Sequence, residues 1–150
     1  MFKRILVPVD GSATSTKALT AALQLARDAG GRVRVLHSVD ELAYLSGFEY
    51  SGEVMKVARE NATKVLDDAM AIAKSSGVPA DQQLVDQPGA RLGQTVSDAA
   101  KAWEADLVVV GTHGRRGIGR VLMGSGAEQV TREASVPVLV IRADESSAKS

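Results

Sequence analysis

The feature that most restricts this chain is the regular exchange of two hydrophobic periods along its length. Short apolar runs stand at Ile5–Val9, Val33–Val39, Asp106–Val110 and Val136–Ile141, with a half-polar one at Gln82–Asp86. Each is too short for a helix, and most are rich in β-branched residues, as buried strands are. Between them the apolar residues fall at helical spacing, over about Ala13–Ala29, Gly52–Ser76, the stripe Leu92, Val96, Ala99, Ala100, Trp103, and Gly124–Ala134. Strands that alternate with helices give parallel βαβ units with right-handed crossovers. The expected fold is therefore α/β, a single doubly wound parallel sheet with helices on both faces.

Local signals set the boundaries. Pro8 removes one ladder donor near the end of the first strand, and Asp10–Gly11–Ser12 is the turn that leaves it. Ser12 is placed to cap the first helix, and Gly30–Gly31 to stop it. Gly77–Val78–Pro79 ends the second helix. Gln82–Asp86 reads as a sheet edge because half of it is polar. The segment Glu41–Gly52 has no helical period and holds three of the five aromatic residues, so it is expected as a mobile lid or connection. The small polar tail 143–150 is expected to be disordered, leaving residues 1–142 as one domain.

Composition narrows the function classes. A formal net charge of zero argues against a general nucleic-acid or membrane-surface binder. The absence of cysteine excludes disulfides and thiolate chemistry. Met1–Phe2–Lys3–Arg4 runs straight into a strand without a signal-peptide core, and no apolar run reaches membrane-spanning length, so a cytoplasmic home is expected.

The stretch Leu107–Glu128 concentrates the chemistry. A strand ends in Val110, six glycines follow between Gly111 and Gly126, and Ser125–x–x–Glu128 has the spacing of a capping box. No acid lies between Asp106 and Glu128, whereas Arg115, Arg116 and Arg120 all do. Each part has an ordinary reading: a helix cap, a turn glycine, a solvated arginine. Their convergence in one strand-to-helix connection describes an anion cradle, in which backbone N–H groups and a helix N-terminus meet phosphate oxygens. The pattern lacks G-x-x-x-x-G-K-[ST], so it is not a P-loop. In doubly wound sheets ligands sit beyond the carboxyl ends of the strands, where the winding reverses. If the first and fourth strands are neighbours, Asp10 faces the glycine loop there, with Ser38–Val39–Asp40 alongside. Asp10 either caps the following turn or meets ribose hydroxyls or a metal, since a bare carboxylate repels phosphate. His37 reads as a strand residue satisfied locally and His113 as an exposed loop residue. Neither has a partner that would complete a catalytic triad.

Ile5–Leu6–Val7–Pro8–Val9–Asp10–Gly11–Ser12 resembles the opening strand of the universal stress protein family. Gly111–x–x–Gly114, nine residues, then Gly124–Ser125 is similar to that family's G-2x-G-9x-G-[ST] nucleotide motif, and Val136–Val140 resembles its last strand. The resemblance implies strand order 3-2-1-4-5, a homodimer and, in the branch that keeps the glycine motif, ATP. It places Asp10 near the ribose and phosphates, Val9, Ser38 and Val39 on the adenine side, and Val110 beneath. Gly111, Gly114, Gly124 and Ser125 would hold the phosphates, with Gly126 a further backbone donor. Mg2+ is the optional companion of those phosphates, and no protein ligand to it is assigned. Family members are often valine where Gly126 stands.

Two classes of function follow. A nucleotide-binding regulatory protein needs only the cradle. A slow ATPase or phosphotransferase would also need a base or water-orienting group, which the sequence does not supply. An interaction module with an empty cradle is the third reading. The dimer is expected through the edge segment Val136–Ile141, which carries no charge before Arg142 and whose outward valines an antiparallel pairing would bury.

Overall fold

The computed structural model describes residues 2–39, 52–86, 91–112 and 125–142, apart from the side chains of residues 52–55, 125 and 126. In chain order the elements are β1 (Arg4–Pro8), α1 (Ala13–Ala29), β2 (Arg32–Ser38), α2 (Gly52–Ser76) and β3 (Ala80–Val85). They are followed by α3 (Leu92–Trp103), β4 (Leu107–Gly111), α4 (Ser125–Glu133) and β5 (Val138–Ile141). The strands form one sheet in the order β3-β2-β1-β4-β5, every neighbouring pair parallel. This is the expected doubly wound sheet. The expected lid within residues 41–52 lies outside the described residues save Gly52, the first residue of α2, and the tail 143–150 lies wholly outside them.

Alternation along each strand sorts the core into two layers. Ile5, Val7, Val33, Val35, Leu107 and Val109 point to the face covered by α1 and α2. Leu6, Leu36, Val108 and Val110 point to the face covered by α3 and α4. In α1, Ala18, Ala22 and Ala26 are fully buried, so the helix lies close on the β-branched sheet. Burying a leucine or isoleucine side chain stabilises by about 1.5–3 kcal/mol, and both layers contain several.

The helix ends follow the sequence signals. Ser12 Oγ accepts the Ser15 N–H at 3.1 Å and caps α1. Gly30 closes α1 at φ +69°, and Gly31 is needed for another reason: a Cβ there would stand 2.7 Å from Lys3 backbone atoms. The capping box expected at Ser125–Glu128 involves the Ser125 side chain, which lies outside the described residues. Glu128 Oε2 accepts from Arg132 Nη2 at 3.0 Å, one turn further along the exposed face of α4.

At the amino ends of the strands, polar groups are matched within the fold. The Asp106 carboxylate accepts the Lys3 N–H at 2.9 Å and the Arg4 N–H at 3.0 Å. The Arg4 guanidinium donates twice to the Trp103 carbonyl, at 2.9 and 2.7 Å. It also lies over the indole of Trp103, 4.5 Å from the ring centre, and Arg34 stacks on the same ring at 4.8 Å. Arg34 in turn forms a bidentate pair with Asp81, at 2.8 and 3.0 Å. Those hydrogen bonds, with the arginine charges outweighed in part by burial, hold the Asp81 carboxyl below its ordinary range.

β5 is an edge strand, shorter than the expected Val136–Ile141 because Val136 and Pro137 precede the ladder. Its outward side chain also differs from the expectation. Val138 and Val140 pack into the α3 and α4 layer, and the exposed apolar residue is Leu139. Among the described residues, no helix is long and apolar enough to cross a membrane.

Candidate functional site

The site begins with Pro8. Lys3 O accepts the Arg32 N–H at 2.8 Å and Val9 donates its N–H to Leu36 O at 2.8 Å, so the odd residues of β1 face β2. The even residues therefore face β4, and Arg4 O accepts the Asp106 N–H on that side at 2.9 Å. Pro8 falls on the β4 side, where it has no hydrogen to donate. The β1–β4 register accordingly pairs Ile5 with Leu107 and Leu6 with Val108 and goes no further, although β1 runs on to Pro8 and β4 to Gly111. Beyond Leu6 and Val108 the paired register of the two central strands ends, and the crevice at the carboxyl ends of β1 and β4 begins there. This is also where the winding reverses, since chain connections leave β1 toward β2 on one side and reach β4 and β5 on the other.

Around this opening the expected residues take the following places. Val9 is buried in the α1 and α2 layer, and Val110 is buried in the other. Ser38 ends β2 half-buried, and Val39 is 4% exposed with its N–H on Val85 O at 2.9 Å. Asp10 is exposed, and its Oδ1 accepts the Ser12 N–H at 2.9 Å. The capping role weighed for Asp10 is thus present, in the form of a side-chain turn that leads into α1. Gly111 ends β4, while Ser125 and Gly126 open α4. Gly114, Gly124, His113 and the three loop arginines lie outside the described residues.

Gly111 has a requirement that its sequence context did not reveal. A Cβ at this position would stand 2.7 Å from Thr14 O and 2.8 Å from Thr14 Cγ2. The end of β4 therefore lies directly against the first turn of α1. This contact brings the two walls of the opening together and explains the glycine without any ligand.

Three further residues stand here, of which Ser15 and Thr112 were not singled out from sequence. Ser15 Oγ accepts the Asp10 N–H at 3.3 Å and donates to Ser12 O at 3.1 Å, so it knits the β1–α1 turn. His37 is 7% exposed, with Nδ1 2.7 Å from Val9 O, which satisfies the expectation of a local partner. Thr112, the residue after β4, is 3% exposed and its Oγ1 has no hydrogen-bond partner. Its N–H is engaged with Ile141 O at 2.9 Å. A buried hydroxyl without a partner costs roughly 1–3 kcal/mol, so a water or another polar group is expected to reach it, as for Thr95 Oγ1 and Gln83 Oε1, which also lack protein partners. The only sequence signal for Thr112 is a hydroxyl residue directly after an all-apolar strand and a glycine.

Chemically the opening offers donors and few acids. The N-termini of α1 and α4 both follow strands that end here, so both helix dipoles present their positive ends at this side of the sheet. Among the described residues, no three His, Cys, Asp or Glu gather as a set of metal ligands.

The family model described as the universal stress protein family matches residues 1–142. The chain belongs to the universal stress protein family. It is 35% identical over 142 residues to a Thermus aquaticus universal stress protein described as lying in the QAH/OAS sulfhydrylase 3′ region, with 95% of this chain and 100% of that protein covered. A solved structure of a universal stress protein family member from Burkholderia pseudomallei is 34% identical, covers 95% of this chain and 97% of its own, and superposes with a TM-score of 0.75. The universal stress protein of Archaeoglobus fulgidus, solved in complex with dAMP, is 25% identical, with 94% and 98% covered and a TM-score of 0.69. The sheet order found here is thus the universal stress protein fold.

Proposed function

We propose that this universal stress protein binds an adenine nucleotide, ATP in preference to AMP, at the opening between β1 and β4, and acts as a regulatory binding protein. The observation that carries the reading is the opening itself: Pro8 ends the β1–β4 ladder, and the partnerless hydroxyl of Thr112 is buried at its rim. The dAMP complex of the Archaeoglobus fulgidus relative supports the ligand class. In this reading Val9, Ser38 and Val39 form the base side with Val110 beneath, and Asp10 meets the ribose or a phosphate-borne Mg2+. Gly111, Gly114, Gly124, Ser125 and Gly126 give backbone and hydroxyl donors to the phosphates. Binding is favoured over catalysis because no described residue is placed as a base. His37 is engaged with Val9 O, and Asp10 with the Ser12 N–H. Any hydrolysis is expected far below a typical turnover of about 10 per second.

The test is to denature the purified protein and identify any released nucleotide, then to titrate the stripped protein with ATP, ADP and AMP by calorimetry. A triphosphate preference supports the cradle. Equal affinity for ATP and AMP removes the phosphate role of the glycine loop, and no binding of any of the three removes the reading.

The homodimer is part of the same proposal. β5 leaves one of its edges without a strand neighbour and exposes Leu139. An antiparallel pairing of two such edges would be self-complementary. Pro137 O and Ile141 O accept from β4, so the even residues of β5 turn their N–H groups to the open edge. Light scattering at tens of micromolar on wild type and Val140→Pro decides it: a monomeric wild type removes the dimer, and a dimer that survives the proline in a folded subunit places the joint elsewhere.

A further inference from the structure

We propose that His37 is a positioning residue of the nucleotide site: its imidazole fixes the β1–α1 turn against β2 and so sets where Asp10 stands. The inference rests on the nucleotide-binding reading above and adds a residue which that reading did not include. The registered β1–β2 ladder ends at the pair Pro8–Leu36. One residue beyond, the Val9 carbonyl faces β2 and accepts from His37 Nδ1 at 2.7 Å. A carbonyl has no proton to give, so Nδ1 carries the hydrogen whatever the state of Nε2. The bond therefore fixes the hydrogen on Nδ1 and the ring against β1.

The turn that follows is held at successive atoms. The Asp10 N–H goes to Ser15 Oγ, the Asp10 carboxylate takes the Ser12 N–H, and Gly11 turns the chain at φ +87°. Ser12 and Ser15 belong to the turn and to α1, so they move with it. From β2 two bonds reach the start of the turn: Leu36 O takes the Val9 N–H at 2.8 Å, and His37 is the one side chain among these partners that comes from another strand. It sits one residue before Ser38 and two before Val39, which form the opposite wall. The imidazole thus ties the wall that carries Asp10 to the wall assigned to the base. Burial at 7% makes the tie stiff, because a polar ring in this apolar layer must keep its partner.

Three variants test it. His37→Asn keeps a donor at the place of Nδ1, since both nitrogens are two bonds from Cβ. His37→Leu keeps bulk without a donor, and His37→Gln moves the amide one bond too far. Without nucleotide, amide exchange at Asp10 and Ser12 is expected to quicken about tenfold in His37→Leu and His37→Gln, with Val33 and Val35 unchanged, and to recover in His37→Asn. With adenine nucleotide, affinity is expected to fall about tenfold in the first two and to recover in His37→Asn. In an Asp10→Ala background His37→Leu should then cost little further affinity, because the two act through one position. Turn exchange and affinity at wild-type levels in folded His37→Leu or His37→Gln overturn the proposal, as does an additive cycle. If the wild type binds no nucleotide, the binding reading fails, and the exchange measurement still decides whether His37 holds the turn.

Discussion

The two ends of the sheet each carry an aspartate next to a central strand, and the two are employed in opposite ways. Asp106, at the amino end, is partly buried and receives the N–H groups of Lys3 and Arg4 from a neighbouring strand. Asp10, at the carboxyl end, is exposed and receives the N–H of Ser12 from its own turn. Around Asp106 the cations are matched with carbonyl, carboxylate and indole. Around Asp10 the ladder stops, the chain turns sharply, and Thr112 keeps a buried hydroxyl with no partner. The amino end is satisfied from within, while at the end of β4 the Thr112 hydroxyl has no protein partner; under the proposed function the first end serves stability and the second recognition.

The largest expected effect sharpens that contrast. Asp106→Ala removes a charged acceptor from two main-chain donors and should lower unfolding free energy by about 2–3 kcal/mol, measured by urea unfolding. Nucleotide affinity should stay at wild type. Asp10→Ala should do the reverse, with stability changed by less than about 1 kcal/mol and affinity clearly weakened. A common loss of both properties in both variants breaks the comparison.

Gly111→Ala asks whether the carboxyl end is purely a recognition surface. The added methyl would meet Thr14 at 2.7 Å from its carbonyl oxygen, so a stability loss of about 1–3 kcal/mol is expected before any ligand is added. A variant that melts as wild type shows that the α1 turn can yield. Thr112→Val is the next in size and has the opposite sign. Replacing a partnerless buried hydroxyl by an isosteric methyl should stabilise the nucleotide-free protein by about 1 kcal/mol and weaken nucleotide binding. Destabilisation instead would mean that the hydroxyl serves the fold, and the two ends would then be alike.

The smallest effect belongs to the amino end and depends on pH. The folded Asp81 carboxyl titrates below its ordinary range because Arg34 hydrogen-bonds its charged form. Its contribution is therefore complete above the unfolded value of about 3.9 and fades as pH falls through the lower folded value. Asp81 is 51% exposed, so the whole contribution is at most about 1 kcal/mol. The stability gap between wild type and Asp81→Asn should be level from about pH 8 to 5 and close at more acid pH. A gap that widens in acid reverses the sign of the assignment.

Sequence made the scaffold legible where the determining forces are local. The bounds of α1, its Ser12 cap and its Gly30 stop follow from side chains within a few residues of each other, and the structure places them as read. The polar run around Gln82 belongs to the edge strand β3 because an edge needs less burial. The strand order came from the family resemblance, since many orders satisfy the same alternation. Features that depend on register or on distant contacts escaped. Pro8 was visible as a missing donor, but which neighbour loses it depends on the side that residue 8 faces. The contact of Gly111 with Thr14 joins positions nearly a hundred apart in the chain. The Glu128–Arg132 bond has the same i, i+4 spacing as many pairs on an exposed helix face, so spacing alone did not single it out. The outward residue of β5 was misassigned by one step of the pleat, which exchanges valines for Leu139.

The stack of Arg4 and Arg34 on Trp103 has a practical consequence. Trp103 is the chain's single tryptophan, 7% exposed, at the end of the sheet remote from the opening. Its emission in the native protein reports an indole shielded from water beside two guanidinium groups. Unfolding releases that contact and brings the ring into water, so a red shift follows the loss of the amino-end network. A nucleotide bound at the proposed site would leave these neighbours in place. The tryptophan emission of this protein is therefore expected to track its folding and to stay level on titration with nucleotide.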